Sequence, residues 1–302
     1  MRTAFRLALT SLAIVTLSVA SGAAAEEITL RPRYQPGDAY VLSLHTAAKT
    51  ALHSKGLQRK PFDEDVQLEY GARAVVLEVD ANGQPLRERH EDVRLAFVRP
   101  DESGALFNEH ASFEVRRSAD GDVQLFANEK RMPRAVEKVV VDVLASQFEY
   151  SIGPALFEPG RPVAIGESWE LDPSKARRFL RDRGVRVIDL DGPATATLEQ
   201  RAGDDGEPAL VIRYRIAVGR WQPDPVHPNS LTAASDGVIE GEIELASGAG
   251  GRPLHHTSNL AMHVNGVVTA SRVADPVTWR LEMSRATEQR TQVVKKSLAA
   301  NF

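Results

Sequence analysis

The sequence predicts a mainly β protein with one or two helices, its strands forming a curved antiparallel meander, or half-barrel, that covers a mid-chain amphipathic helix. A β-sandwich of two packed sheets is the alternative. Apolar and polar residues alternate from Ile28 to the C-terminal region. Turn words rich in Gly, Asn and Asp separate the alternating runs. Two stretches carry helical signals instead.

The clearest strand places Leu210, Ile212, Tyr214, Ile216 and Val218 on one face and Val211, Arg213, Arg215 and Ala217 on the other. Ile239, Gly241, Ile243 and Leu245 likewise oppose Glu240, Glu242 and Glu244, carboxylates that face water. A third set, Val66, Leu68, Tyr70, Ala72 and Ala74, changes phase to Leu77 and Val79, which predicts a bulge near Val75-Val76. Asp80-Ala81-Asn82-Gly83, Gly203-Asp204-Asp205-Gly206 and Ser247-Gly248-Ala249-Gly250-Gly251 read as hairpin turns, each followed within two residues by a Pro that begins the return strand.

Helical spacing of Val136, Val139, Val140, Val143, Leu144 and Phe148 predicts an amphipathic helix from Pro133 to about Phe148. A shorter helix is marked by its ends: Asp172 as N-cap, Pro173 at the first position and Gly184 after the last turn. Between Gly153 and Gly166 a connector carries Leu156, Phe157, Val163, Ile165 and, just beyond it, Trp169, too apolar a set to remain solvated. Gln222 to Ser235, with prolines at 223, 225 and 228, reads as a surface loop. The expected organisation is a single domain over 26–302, with strand-rich halves at about 26–130 and 185–296 joined by a helical connector at about 131–184.

Residues 1–25 read as a cleaved secretory signal: Arg2 and Arg6, an apolar run from Leu7 to Val19, then Ala23-Ala24-Ala25. The run is shorter than the ~20 residues a membrane helix needs. Loss of this segment, which holds two of the 37 basic residues and none of the 41 acidic ones, leaves 277 of the 302 residues and a formal charge of −6. That balance gives no global attraction to nucleic acid. No Cys is present to take a lipid anchor or form a disulfide. The expected product is exported, periplasmic or extracellular, soluble, and held together by packing.

Tyr34-Gln35-Pro36-Gly37-Asp38-Ala39-Tyr40 and Pro162-Val163-Ala164-Ile165-Gly166-Glu167-Ser168-Trp169 resemble the short words of an uncharacterised family of exported bacterial β-rich proteins. Gly241-Glu242-Ile243 to Gly251 resembles that family's late hairpin. The plan is also similar to the half-barrel of periplasmic lipoprotein carriers, where a bent sheet covers a helix and holds an acyl chain. The resemblance implies export and a β-rich fold, and carries over no catalytic residue.

No nucleophile elbow, phosphate loop, dinucleotide fingerprint or two-His metalloprotease helix occurs. The eight histidines show no local chelating pair; His255 and His256 point to opposite faces of a strand. No cofactor, metal or catalytic residue is therefore expected. The leading expectation is a non-enzymatic cell-envelope protein whose Tyr214, Ile216, Ile243, Leu245 and Met262 line a cavity for an apolar or amphipathic ligand. A second reading is an interaction module whose Lys175, Arg177, Arg178, Arg181 and Arg183 contact an anionic surface, polymer or protein partner. A third is a hydrolase with a site assembled from separated strands.

Overall fold

The computed structural model describes residues 27–30, 33–54, 62–118, 122–145, 153–202, 208–222, 230–245, 253–268 and 277–294. The segment read as a secretory signal and the turn tips at 203–206 and 247–251 lie outside these residues. In the first half, β1 (Glu27–Ile28), β2 (Ala39–Ser54), β3 (Phe62–Val79), β4 (Pro85–Arg99), β5 (Glu102–Arg117), β6 (Val123–Ala127) and β7 (Lys130–Arg131) lead into helix α1 (Arg134–Ala145). The connector holds α2 (Gly153–Phe157), β8 (Val163–Ala164), β9 (Ser168–Glu170) and α3 (Pro173–Asp182). The second half comprises β10 (Arg186–Leu190), β11 (Thr195–Ala202), β12 (Pro208–Gln222), β13 (Ser230–Leu245), β14 (Pro253–Val268) and β15 (Val277–Val293).

Thirteen strands form one antiparallel sheet in the order β7-β6-β5-β4-β3-β2-β15-β14-β13-β12-β11-β9, with β10 also beside β12. β1 and β8 form a separate ribbon. The sheet is assembled outward from its middle, where the first and last long strands pair from Tyr40↔Val293 to Trp279↔Ser54. Each half then extends on its own side, giving two wings of one open, curved sheet that does not close into a barrel.

Alternation sets the faces. Ile212, Tyr214, Ile216 and Val218 are buried while Arg213 and Arg215 are exposed, and on β2 Tyr40, Leu42 and Leu44 turn inward between Val41, Ser43 and His45. The bulge expected near Val75-Val76 falls one residue later: Val76 pairs with Glu88 and Glu78 with Arg87, leaving Leu77 unopposed. A second bulge flips β4, whose inward positions are Glu88 and His90 before Asp92 (φ 52°) and Val93 and Leu95 after it. The Pro36-Gly37 turn opens β2: Gly37 sits at φ 85°, where a side chain is disfavoured, and the Asp38 amide donates to the Gln35 carbonyl at 3.0 Å.

One helix does not cover the sheet. A 12-residue helix such as α1 spans about 18 Å, whereas twelve strands side by side span roughly 55 Å. α1 covers the first wing, packing Val140, Val143 and Leu144 on Tyr40, Leu42, Tyr70 and Leu125. α2 and α3 cover the second, burying Phe157, Ala176, Phe179 and Leu180 against Ile212, Tyr214 and Ile216. Asp172 caps α3 as expected, accepting from the Ser174 and Lys175 amides at 2.8 and 3.0 Å. In the connector Leu156, Phe157, Val163 and Trp169 are buried, but Ile165 is 43% exposed at a turn. Of the stretch expected as a surface loop over Gln222–Ser235, Gln222 belongs to β12 and Ser230 to Ser235 belong to β13, while 223–229 lie outside the described residues.

Candidate functional site

Between the two apolar cores the inner face of the sheet turns polar. On β15, Trp279, Leu281 and Met283 pack with the second-wing core, but the next inward positions are Arg285, Thr287, Gln289 and Thr291. Thr287 pairs with Thr46 of β2 on one side and Ser258 of β14 on the other, and Gln289 pairs with His256. Thr46, His256, Ser258, Thr287, Gln289 and Thr291 are all buried, so this seam of side chains crosses the middle of the sheet out of water.

Each wing adds a buried Tyr–His hydrogen bond. In the first, the Tyr70 hydroxyl lies 2.5 Å from His90 Nδ1, and the Tyr40 hydroxyl donates to Glu88 Oε1 at 2.5 Å. In the second, Tyr214 on β12 reaches across β13 to His256 Nε2 on β14 at 2.9 Å. That reach requires Gly241: a Cβ there would lie 2.5 Å from the Tyr214 hydroxyl and 2.3 Å from the Thr257 carbonyl. Burial pushes both His90 and His256 down to about 3, so both are neutral near pH 7. Burial also raises Tyr214 to about 12, although Arg183 opposes the shift.

At the first-wing end of the seam lies a hollow of about 220 Å³. It is lined by Thr46 and Ala48 of β2, Leu68 of β3, Arg285 of β15 and Val139, Asp142 and Val143 of α1. Its origin is simple. Thr46 and Ala48 are small, and α1 approaches them with Val139, still 45% exposed, and Val143, which reach no further. Arg285 Nη1 donates to the Arg183 carbonyl at 3.1 Å. Among the described residues no carboxylate lies within ion-pair distance of the Arg285 guanidinium, whereas the Asp142 carboxylate is 2.6 Å from Lys138 Nζ. Burial lowers the pKa of Arg285, with Asp142 opposing; an arginine nevertheless stays charged. The Thr46 hydroxyl, also buried, has no hydrogen-bond partner.

Two larger troughs, of about 420 and 510 Å³, lie in the outer face and differ in kind. Their walls include ion pairs: Arg213 on Glu242 and Arg215 on Glu240 across strands, and Arg290 on Glu288 within β15. These charges satisfy one another in contact with water. Among the described residues no cluster of three or more His, Cys, Asp or Glu is placed to hold a metal ion, and no helix is long and apolar enough to cross a membrane.

Tyr214, Ile216, Ile243, Leu245 and Met262 are brought together, each no more than 3% exposed, in the core that Phe157, Phe179 and Leu180 fill; none of them lines the hollow beside α1. The basic set is divided. Arg177 and Arg181 are exposed and Lys175 and Arg178 half-buried, but Arg183 turns inward at 4% exposure, stacked 3.6 Å from the Phe179 ring centroid. It sits past the end of α3, where the chain bends back toward the core, and its Nη1 donates to the Phe179 carbonyl. Sequence reasoning missed Thr46, Ala48, Leu68, Asp142 and Arg285. The available signal was Arg285 itself, a cation in the inward phase of the Trp279, Leu281, Met283 alternation.

No protein-family model matches the sequence, and no curated protein matches it. Among solved structures, one of lipid–protein interactions in lipovitellin is 11% identical, covering 89% of this chain and 26% of that one with a TM-score of 0.43. This chain thus spans about a quarter of the lipovitellin chain. The outer membrane protein OprG of Pseudomonas aeruginosa (6% identity, TM-score 0.22, 86% of this chain and 97% of that one) and an outer-membrane channel of Pseudomonas putida F1 (9%, 0.23, 87% and 98%) also align. All three are β-rich, and none superposes closely enough to carry its binding properties across.

Proposed function

We propose that the chain is an exported, non-enzymatic envelope protein that binds a small amphipathic molecule on the inner face of its open sheet. The observation that supports this reading is the hollow between α1 and the mid-sheet, apolar on its flanks through Ala48, Leu68, Val139 and Val143 and polar at its seam end. Binding sites of this kind pair apolar walls with a few converging polar groups. At about 220 Å³, and open to solvent at one end, the space suits a short alkyl chain. Export rests on the basic, apolar and small-residue order of residues 1–25.

The test is native mass spectrometry of the secreted protein, followed by organic extraction. The expected result is a bound amphiphile of low mass that is lost in Ala48→Leu, which fills the floor of the hollow, while the circular dichroism spectrum is unchanged. Leu68→Ala, which enlarges the same space, admits a longer homologue. Protein that carries no ligand and takes up none from a panel of alkyl alcohols, acids and amines overturns the proposal.

A further inference from the structure

Resting on the binding reading above, we infer that Arg285 and Thr46 form an anion anchor at the seam end of the hollow, and that the ligand is an alkyl chain of about eight carbons ending in a single carboxylate. A guanidinium partly withdrawn from water, as the half-buried Arg285 is, is costly unless it is paired and hydrogen-bonded. Arg285 meets a backbone carbonyl, which carries no formal charge; Asp142 across the hollow acts on it electrostatically but makes no ion pair with it. Asp142, the acidic residue in that wall, is held by Lys138 on its own helix.

The neighbouring Thr46 hydroxyl is buried and has no hydrogen-bond partner, on the strand that pairs with β15 at this level: Ala48 faces Arg285 and Thr46 faces Thr287. A carboxylate there accepts two parallel bonds from the guanidinium fork and a third from the hydroxyl. The chain then runs along Ala48, Leu68, Val139 and Val143 toward solvent. One negative charge suits the site better than two, because Asp142 lines the same wall and the chain as a whole is acidic.

The experiment compares octanoate, octanol and octylammonium on the wild-type protein, Arg285→Met, Arg285→Lys and Asp142→Asn, by isothermal titration calorimetry at pH 7.5. Octanoate is expected to bind at least tenfold more tightly than octanol, a difference of about 1.4 kcal/mol. Arg285→Met abolishes that preference, so that octanoate binds no more tightly than octanol. Arg285→Lys keeps part of it, and is the informative variant should Arg285→Met fail to fold. Asp142→Asn widens the preference for octanoate over octanol two- to fivefold. Equal binding of octanoate and octanol, or a preference for octylammonium, overturns the anchor and leaves the hollow as a binding site. Binding of none of the three overturns the anchor and the proposed function together.

Discussion

The two wings of the sheet solve the same problem differently. Each lays a helix across an inward apolar face and buries a Tyr–His pair, but the second wing is filled and the first is not. α3 drives Ala176, Phe179 and Leu180 fully into its core, with Phe157 of α2 edge-on to Phe179 at 5.6 Å. α1 is instead tethered by a polar anchor: Glu137 accepts from the Leu125 amide at 3.1 Å and from Arg131 at 3.0 Å. Large aromatics inserted from a helix leave no space beneath it, whereas a valine-faced helix over Thr46 and Ala48 does. Room for a ligand therefore depends on the size of the side chains facing the strands, and the most regular strands need not border it.

Acid is expected to produce the largest effect. His90 and His256 titrate near 3 when folded and near 6.5 when unfolded, so above pH 6.5 neither contributes. As pH falls from about 6.5 toward 3 the unfolded chain takes up protons that the folded one does not, and each histidine removes about 1.4 kcal/mol per pH unit. Urea unfolding at stepped pH should show nearly twice that slope in wild type and half as much in either His90→Gln or His256→Gln. A slope unaffected by both variants places the acid sensitivity elsewhere.

Truncation of the filled wing comes next. Phe179→Ala should cost about 3–5 kcal/mol, against about 1.6 kcal/mol for Val143→Ala over the hollow, measured by the same unfolding curves. Equal losses would mean that the first wing is as tightly packed as the second. Two glycines sharpen the contrast. Gly241→Ala collides with Tyr214 and the Thr257 carbonyl and should cost about 1–3 kcal/mol. Gly71→Ala, whose nearest neighbour is 4.0 Å away, should change stability by less than about 1 kcal/mol.

Glu137→Gln should cost about 1–3 kcal/mol by leaving Arg131 unpaired and weakening the bond from the Leu125 amide. Arg131 also holds the Glu137 carboxyl below the usual range, so this stabilisation is present above pH 4.5 and is lost as pH falls further. The smallest effect belongs to the outer face. A double-mutant cycle on Arg215 and Glu240 should return less than about 1 kcal/mol, because both groups are exposed.

Much of the fold was legible because strand period and turn chemistry are local. Tyr214 and Arg213 declared their opposite faces, Asp172 and Pro173 declared the start of α3, and Leu77 and Val79 declared a bulge to within two residues. The site was less legible. The aromatics that fill the second wing, Phe157 and Phe179, come from the connector, and nothing local says which strands they cover. The inward turn of Arg183 follows likewise from where the end of α3 lies on the sheet.

The amino-acid order alone determined that this chain builds paired strands with one face apolar and one charged, since side-chain direction in a strand follows from backbone geometry at each step. Tertiary structure decided the rest. The pairing of β2 with β15, residues more than two hundred positions apart, sets Thr46 and Ala48 beside Thr287 and Arg285 and so creates the seam. Space between elements and the partner of a buried charge depend on contacts between distant segments, and no local pattern encodes them.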